Sequence, residues 1–467
     1  MILFSYFYHR YYIYYTNYAE MFERKALGYL REWAQRDNRK PLIIRGARQV
    51  GKTTLVNSFS VDFNQYIYLN LEIPAQRALF ERSRNFNELV DAIFFLNKKS
   101  KAILKTLIFI DEIQNSPQAV AWLRYFYEEA GHLYVIAAGS LLESLIGTRV
   151  SFPVGRVEYL PVWPFSFYEF LMAAGEHISL EVVSQVPFPE YAHEKIMELF
   201  RLYTLIGGMP EAIGQYFKSK DLVSLTPVYD ALLHSYREDF EKYAKNANQV
   251  HIMRHTINHA FNQAGMRITY QRFGQSEYKS GEIKEALLTM ERAMLLRLVF
   301  PVLSTKYPLM PNLKRSPKLQ MLDTGIVNFL SGAQPQVFLS RNLTDVYEGR
   351  IAEHIVGQEL TAMITNMLSS IHFWTREKDA DAEVDFVFPF KGNIIPIEVK
   401  SGAKGHLRSL HEYIDRADLA LGVRICANPL KLEEAITRSG KKFKLLNLPF
   451  YLTHKLEDYL ALAAEKI

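Results

Sequence analysis

Gly46-Ala47-Arg48-Gln49-Val50-Gly51-Lys52-Thr53 sets two glycines with four residues between them and follows the second with a lysine and a hydroxyl residue. This is the spacing of a phosphate-binding loop. The glycines let the backbone curl so that its N–H groups point at phosphate oxygens. Lys52 brings positive charge to the outer phosphates, and Thr53 offers its hydroxyl to Mg²⁺. With Thr54, these residues are the expected nucleotide contacts: Gly46, Ala47, Arg48, Gln49, Val50, Gly51, Lys52, Thr53 and Thr54. Downstream, Leu107-Ile108-Phe109-Ile110-Asp111-Glu112 is an apolar run ending in two carboxylates. A strand buried on both faces reads this way. Asp111 at its end is placed to hold Mg²⁺ beside Thr53, and Glu112 to deprotonate the water that attacks the γ-phosphate. The two stretches together predict a site for ATP hydrolysis.

A second constellation lies in the C-terminal third. Glu383-Val384-Asp385-Phe386-Val387-Phe388 alternates as a strand, a turn follows around Lys391-Gly392-Asn393, and the chain returns through Ile394 to Gly402. Glu398 and Lys400 are two apart on that return strand and so share a face, with Asp385 on the neighbouring hairpin strand. Two carboxylates suit a hard divalent cation such as Mg²⁺, and the lysine can position a water or stabilise charge on phosphorus. Glu353, on a helix beginning at Gly349-Arg350, is a further ligand candidate. Asp385, Glu398 and Lys400 are then the expected catalytic set of a metal-dependent phosphodiesterase, with Glu353, Asp385 and Glu398 on the metal. The bland alternative is a sheet edge whose charges are merely solvated.

The elements that must position these groups follow from periodicity. Strand candidates are Leu42–Arg45, Tyr66–Asn70, Leu107–Asp111, Leu133–Ala138 and Val157–Val162, separated by helical stretches. That alternation implies a parallel sheet covered on both faces, an α/β fold. The extra strand between the phosphate loop and Asp111-Glu112 points to ATPases whose catalytic Glu belongs to the same domain. Ser140, just after a strand end at Gly139, is a candidate sensor of the γ-phosphate or a plain turn residue. From Phe165 to about Lys245 the pattern is helical, with Ser166 as a capping residue and Gly207-Gly208-Met209-Pro210 as a helix stop. This predicts a small lid-like helical subdomain. His251–Ala264, Tyr270–Phe273 and Gly281–Leu296 read as three helices, with Leu296–Val302 as a β-wing. The set resembles a winged helix-turn-helix. Its third helix carries Glu282, Lys284, Glu285, Glu291 and Arg292, a mixed surface where DNA readers show a basic stripe. DNA contact and an inert connector are both open for it.

Composition bounds the rest. The chain has 467 residues, 49% of them hydrophobic, enough for two or three cores. Its one cysteine, Cys426, rules out internal disulfides and fits a reducing, cytoplasmic setting. No stretch has the apolar length of a membrane span, and a net charge of +5 permits nucleic-acid contact without demanding it. Residues 1–20 are crowded with Phe and Tyr and interrupted by His9 and Arg10. They read either as an upstream start, with Met21 the true initiator, or as a tail that is disordered or touches a membrane. The expected segments are 1–20, an ATPase core over 21–164, a helical lid over 165–245, a winged-helix-like segment over 246–315 and a nuclease-like domain over 316–467.

Taken together, the chain resembles the bacterial and archaeal AAA-type ATPases that end in a domain of unknown function with a restriction-endonuclease-like core. The likeness is carried by Ile44 through Thr54, Phe109-Ile110-Asp111-Glu112-Ile113-Gln114, Gly139-Ser140 and Gly155-Arg156-Val157. It continues through Pro164 to Phe170, Gly207-Gly208-Met209-Pro210, Leu322-Asp323-Thr324-Gly325, Glu383-Val384-Asp385 and Pro396 to Ser401. The resemblance implies ATP binding with Mg²⁺, hydrolysis, a helical lid, a winged helix and a nuclease-like domain. It also implies that Arg156 touches the γ-phosphate in its own chain or in a neighbour's; Arg149 is a second candidate for that role. Ala137-Ala138 departs from the family, whose members tend to have Thr before Gly-Ser. The partners it leaves open are DNA and further copies of the chain. Two functional classes follow: an ATP-driven enzyme cutting DNA, or an ATP-switched binding module that no longer cuts.

Overall fold

The computed structural model describes residues 24–139, 153, 155–244, 246–332, 350–377, 382–400 and 407–465. Met21 and the stretch before it, Ser140 and Arg149 lie outside the described residues. The chain forms two compact units, one running up to Trp163 with short pieces at 292–294 and 365–367, the other containing the remainder.

In the first unit, β1 (Leu42–Arg45), β2 (Gln65–Asn70), β3 (Thr106–Asp111), β4 (Tyr134–Gly139) and β5 (Glu158–Pro161) make one sheet. Its order is β2-β3-β4-β1-β5 and every pairing is parallel. All residues of β1 and β3 are buried, which is why both read as unbroken apolar runs. Each strand lies within one residue of the limits that periodicity sets. Helix Pro117–Glu129 starts cleanly because Ser116 accepts from the Ala119 N–H and Pro117 occupies its first turn. Its Ala119, Val120, Leu123 and Phe126 pack with Ile108, Ile110 and Ala137 of the sheet. At about 1.5–3 kcal/mol per large buried apolar side chain, this layer holds β3 and its terminal carboxylates in place.

The second unit begins with helices Phe167–Ala173, His193–Ile206, Pro210–Ser219 and Thr226–Glu241. Ser166 and Glu169 form a reciprocal capping box at the first of them. These are the helices expected to cover the nucleotide; they belong to the second unit, where His193–Ile206 packs on helix Thr324–Leu330 and on the turn Phe450–Lys455. Helices Ala247–Ala260 and Ser280–Arg292 follow. The short helix expected over Tyr270–Phe273 does not form. Arg272, Gly274 and Gln275 all have positive φ, which leaves only a single tight turn over Phe273–Gln275. The expected wing also divides, into β6 (Leu296–Val299) and β7 (Pro301–Val302). β6 pairs with β8 (Lys318–Met321), whereas β7 joins a larger sheet.

That larger sheet adds β9 (His372–Thr375), β10 (Glu383–Phe390), β11 (Asn393–Lys400), β12 (Leu421–Cys426), β13 (Lys431–Ile436) and β14 (Lys442–Pro449), in the order β13-β14-β12-β11-β10-β9-β7. β10 and β11 form the expected hairpin, with Phe390 opposite Asn393. Its two loop residues, Lys391 and Gly392, have φ of 44° and 79°, the geometry of a tight hairpin turn. Helix Arg350–Ala362 packs on β8 and β11.

A buried polar junction ties this unit together. Helix His193–Ile206 ends at Gly207, at φ 74°, where a Cβ would stand 2.3 Å from Asp323 Oδ1. Asp323 accepts from the Gly208 N–H at 2.5 Å and the Ile326 N–H at 3.1 Å. The Tyr203 hydroxyl lies 2.8 Å from Glu359 Oε1, which also accepts from the Phe167 N–H at 2.9 Å. Gln358 donates to Tyr203 at 3.0 Å and accepts from Thr324 through both its N–H and hydroxyl at 2.8 Å. His354 closes the chain. Its Nε2 accepts from the Met321 N–H at 3.1 Å, so the proton is on Nδ1, facing Thr324 Oγ1 at 2.9 Å. Burial pushes His354 down to about 3, so it stays neutral.

Burial also raises Asp323 to about 6, against the pull of its backbone donors. A folded-state value above the ordinary carboxylate value means that the protonated form favours the fold. Its contribution is complete below about pH 4 and is lost as pH rises through about 6. Urea unfolding of wild type and Asp323→Asn should show a stability difference that shrinks from pH 4.5 to pH 7.5. A difference that stays constant over that range contradicts this assignment.

Candidate functional site

The phosphate loop takes its shape from three local constraints. Gly51, at φ 90°, occupies a conformation that other residues adopt only with strain. Gly46 runs so close to β5 that a Cβ would lie 2.4 Å from the Val162 carbonyl oxygen. Arg24, 8% exposed, donates to the Val50 carbonyl at 2.8 Å and to the Trp163 carbonyl at 2.7 Å. It thereby braces the loop from behind. Lys52 opens helix Lys52–Phe59, and its ammonium donates to the Gly46 and Ala47 carbonyls at 2.9 and 2.8 Å. Arg48 pairs with Glu72 at 3.3 Å. Gln49 has φ 63°, Val50 is buried, and Thr54 is half-buried on the first helical turn.

At the end of β3, Asp111 Oδ2 accepts from the Thr53 hydroxyl at 2.8 Å and from the Tyr68 hydroxyl at 3.2 Å. Burial raises its pKa, and the Thr53 hydrogen bond works against that rise. A hydroxyl and a carboxylate touching in this way are the oxygen donors that a hard cation selects, so these residues fit Mg²⁺. Glu112 follows with φ 52°, its N–H on Asp111 Oδ1 at 3.0 Å and its carboxylate hydrogen-bonded by the Gln114 amide. A non-glycine residue held in the left-handed region stores strain of the kind that collects at functional positions. Gly139 makes room for this arrangement, since a Cβ there would lie 2.3 Å from Gln114 Oε1. Arg156 pairs with Glu128 of its own chain at 2.8 Å, and Arg124 reaches the same carboxylate at 3.0 Å.

The C-terminal residues also come together. β10 slips register against β9 between Val384 and Val387, a bulge that contains Asp385. Asp385 Oδ2 crosses to accept from the Val399 N–H at 2.8 Å, beside Glu398. Glu398 pairs with Lys400 at 2.6 Å. The residue that sequence reasoning missed is Lys318. Its ammonium lies 2.6 Å from Glu383, 3.0 Å from Glu353 and 3.8 Å from Asp385. Arg267 adds a further cation, 2.8 Å from Glu383. Burial raises Asp385 and Glu398, the neighbouring Glu353 adding to both. For Lys318, burial alone would lower the ammonium, but the three carboxylates outweigh it and raise it. Among the described residues no three His, Cys, Asp or Glu side chains are grouped so as to hold a metal ion. Glu353 and Asp385 do not fit a metal in this arrangement, because the Lys318 ammonium lies beside both, and Glu398 is held by Lys400 instead. The sequence signal for Lys318 was faint, a Lys318-x-Gln320 polar alternation on a short strand with all four residues buried.

Residues 38–171 match the family model described as an AAA domain, 197–337 a domain of unknown function (DUF8612), and 348–451 another (DUF4143). No curated protein matches the chain. Among solved structures it is similar to the Walker-type ATPase of Pyrococcus abyssi, at 16% identity over 66% of this chain and 96% of that one, with a TM-score of 0.42. It is also similar to the Thermotoga maritima RuvB Holliday junction branch migration motor, at 16% identity over 63% and 94%, TM-score 0.29. A third is the Aeropyrum pernix Orc1 protein in complex with DNA, at 11% identity over 66% and 91%, TM-score 0.27. The chain carries an AAA-type P-loop ATPase domain. Among the described residues no helix is long and apolar enough to cross a membrane.

If Arg24 braces the loop, Arg24→Met should lower the unfolding free energy by about 2–3 kcal/mol, since two charge-assisted hydrogen bonds are lost. It should also weaken ATP binding roughly tenfold, read by fluorescent-nucleotide titration. Unchanged nucleotide affinity in a destabilised variant would confine Arg24 to a structural role.

Proposed function

We propose that this protein is a Mg²⁺-dependent ATPase whose cycle drives a C-terminal, restriction-endonuclease-like domain that acts on or binds DNA. The observation that carries the hydrolysis reading is the 2.8 Å contact of Thr53 with Asp111, with Glu112 next along the chain. In this reading the backbone N–H groups of Ala47 to Thr53 receive the phosphates, and Lys52 exchanges its contacts with the loop carbonyls for the outer phosphate oxygens. Thr53 and Asp111 would hold Mg²⁺, which supplies charge neutralisation across those phosphates when bound. Glu112 orients the attacking water and takes its proton. Ser140 is the proposed sensor, and Arg156 or Arg149 the arginine reaching a γ-phosphate in the same chain or the next. The nuclease-like reading is supported by the hairpin that carries Asp385, Glu398 and Lys400, with the Glu353 helix packed on β11. The ATP-switched module that binds without cutting is favoured by one specific observation, the Lys318 ammonium among the carboxylates.

Lys52→Ala should abolish nucleotide binding. Glu112→Gln should bind ATP with near wild-type affinity and lose at least about a hundredfold in kcat, because an amide cannot accept the water's proton. Turnover at the wild-type rate in Glu112→Gln would remove Glu112 from the role of base.

The proposed arginine gives a separate test. If Arg156 acts on a neighbour's nucleotide, ATPase activity per chain rises with protein concentration, and Arg156→Ala flattens that rise. A specific activity independent of concentration for a protein that sediments as a monomer would leave Arg156 only its surface ion pair with Glu128 or a role within its own chain.

A further inference from the structure

Lys318 reaches the carboxylates from β8, which pairs with β6 and is not part of the sheet that carries Asp385 and Glu398. It is 7% exposed, and its ammonium also sits 5.1 Å from the centre of the Phe373 ring, with the Arg267 guanidinium 4.8 Å from the same ring. A lysine this deep, so surrounded, is held by more than chance contact. The balance of charge is incomplete, however. Glu398 is 5% exposed; Lys400 holds its Oε1, while its Oε2 is buried and takes no hydrogen bond among the described residues. An orphaned carboxylate oxygen inside a fold is a strong acceptor for an incoming cation or donor.

We propose that Lys318 is the built-in cation of this cluster and bars a divalent metal ion from it, so that the C-terminal site accepts metal only once Lys318 is drawn away. A divalent cation needs several carboxylate oxygens converging on one point, at about 2–2.6 Å each. Here two of the carboxylates converge on an ammonium instead, and that ammonium repels any cation placed beside it. The proposal rests on the nuclease-like reading of the same residues. It adds that the site is closed by default, through a side chain supplied by β8, a strand outside the sheet that carries Asp385 and Glu398.

Calorimetric titration of the full chain with Mn²⁺, without nucleotide, tests it, with the Mn²⁺-dependent rise in melting temperature as a second readout. Lys318→Met should bind Mn²⁺ at least tenfold more tightly than wild type and gain the larger thermal shift. Lys318→Arg, which keeps the cation, should behave as wild type, and Lys318→Met with Glu398→Ala should lose the new site. If Lys318→Met does not fold, Lys318→Met with Glu383→Gln removes a carboxylate along with the cation and asks the same question. Equal Mn²⁺ affinity in wild type and Lys318→Met overturns the barrier while leaving a metal site standing. A folded Lys318→Met that binds no Mn²⁺ overturns both the barrier and the metal-dependent reading.

Discussion

Taking a charge out of water costs several kcal/mol unless the protein supplies a partner, and each buried charged cluster of this protein is arranged around that constraint. Lys52 is answered by two loop carbonyls, Asp111 by two hydroxyls and a backbone N–H, and Asp323 by backbone donors at a helix start. In the C-terminal domain the same demand is met by pairing carboxylates with lysines and an arginine. Partners of this kind restrict the rotamers of the side chains they hold. They therefore give both positional accuracy and the capacity to exchange one partner for another when a ligand arrives.

The two regions solve the problem differently. In the ATPase unit the partners are mostly backbone groups and hydroxyls, which are weakly bound competitors for a nucleotide phosphate. Lys52 can leave the carbonyls because a phosphate is a far better acceptor. In the C-terminal cluster the partners are full charges, and removing one leaves another exposed to the interior. The first cluster is thus held by neutral groups and the second by opposed charges.

The ATPase half was legible in the sequence because its signals are local. A glycine pattern, a buried strand and an adjacent carboxylate pair lie within short windows, and β1 and β3 follow directly from apolar runs. The Glu398-x-Lys400 spacing was likewise readable, since a strand's period is two. What escaped were partners that are distant in sequence. Arg24 meets Trp163 across 139 residues, and Lys318 meets Glu353 across 35. No periodicity marks such pairs. The short helix over Tyr270–Phe273 failed for a local reason, because consecutive left-handed residues cannot be foreseen where only Gly274 advertises them.

The buried junction around Glu359 also bears on how the chain is made. The Phe167 N–H finds its acceptor 192 residues later, and Tyr203 meets Glu359 across 156. During synthesis the five-stranded unit has all its strands once residue 161 has emerged, and it can close its sheet early. The helices from Phe167 onward are in a different position. Their polar interior stays unmatched until helix Arg350–Ala362 leaves the ribosome, which at about 5–20 residues per second leaves them waiting for roughly ten seconds or more. Phe200 waits longer still for the ring it stacks on, since Phe450 is made 250 residues after it, so this interior is completed only near the end of synthesis.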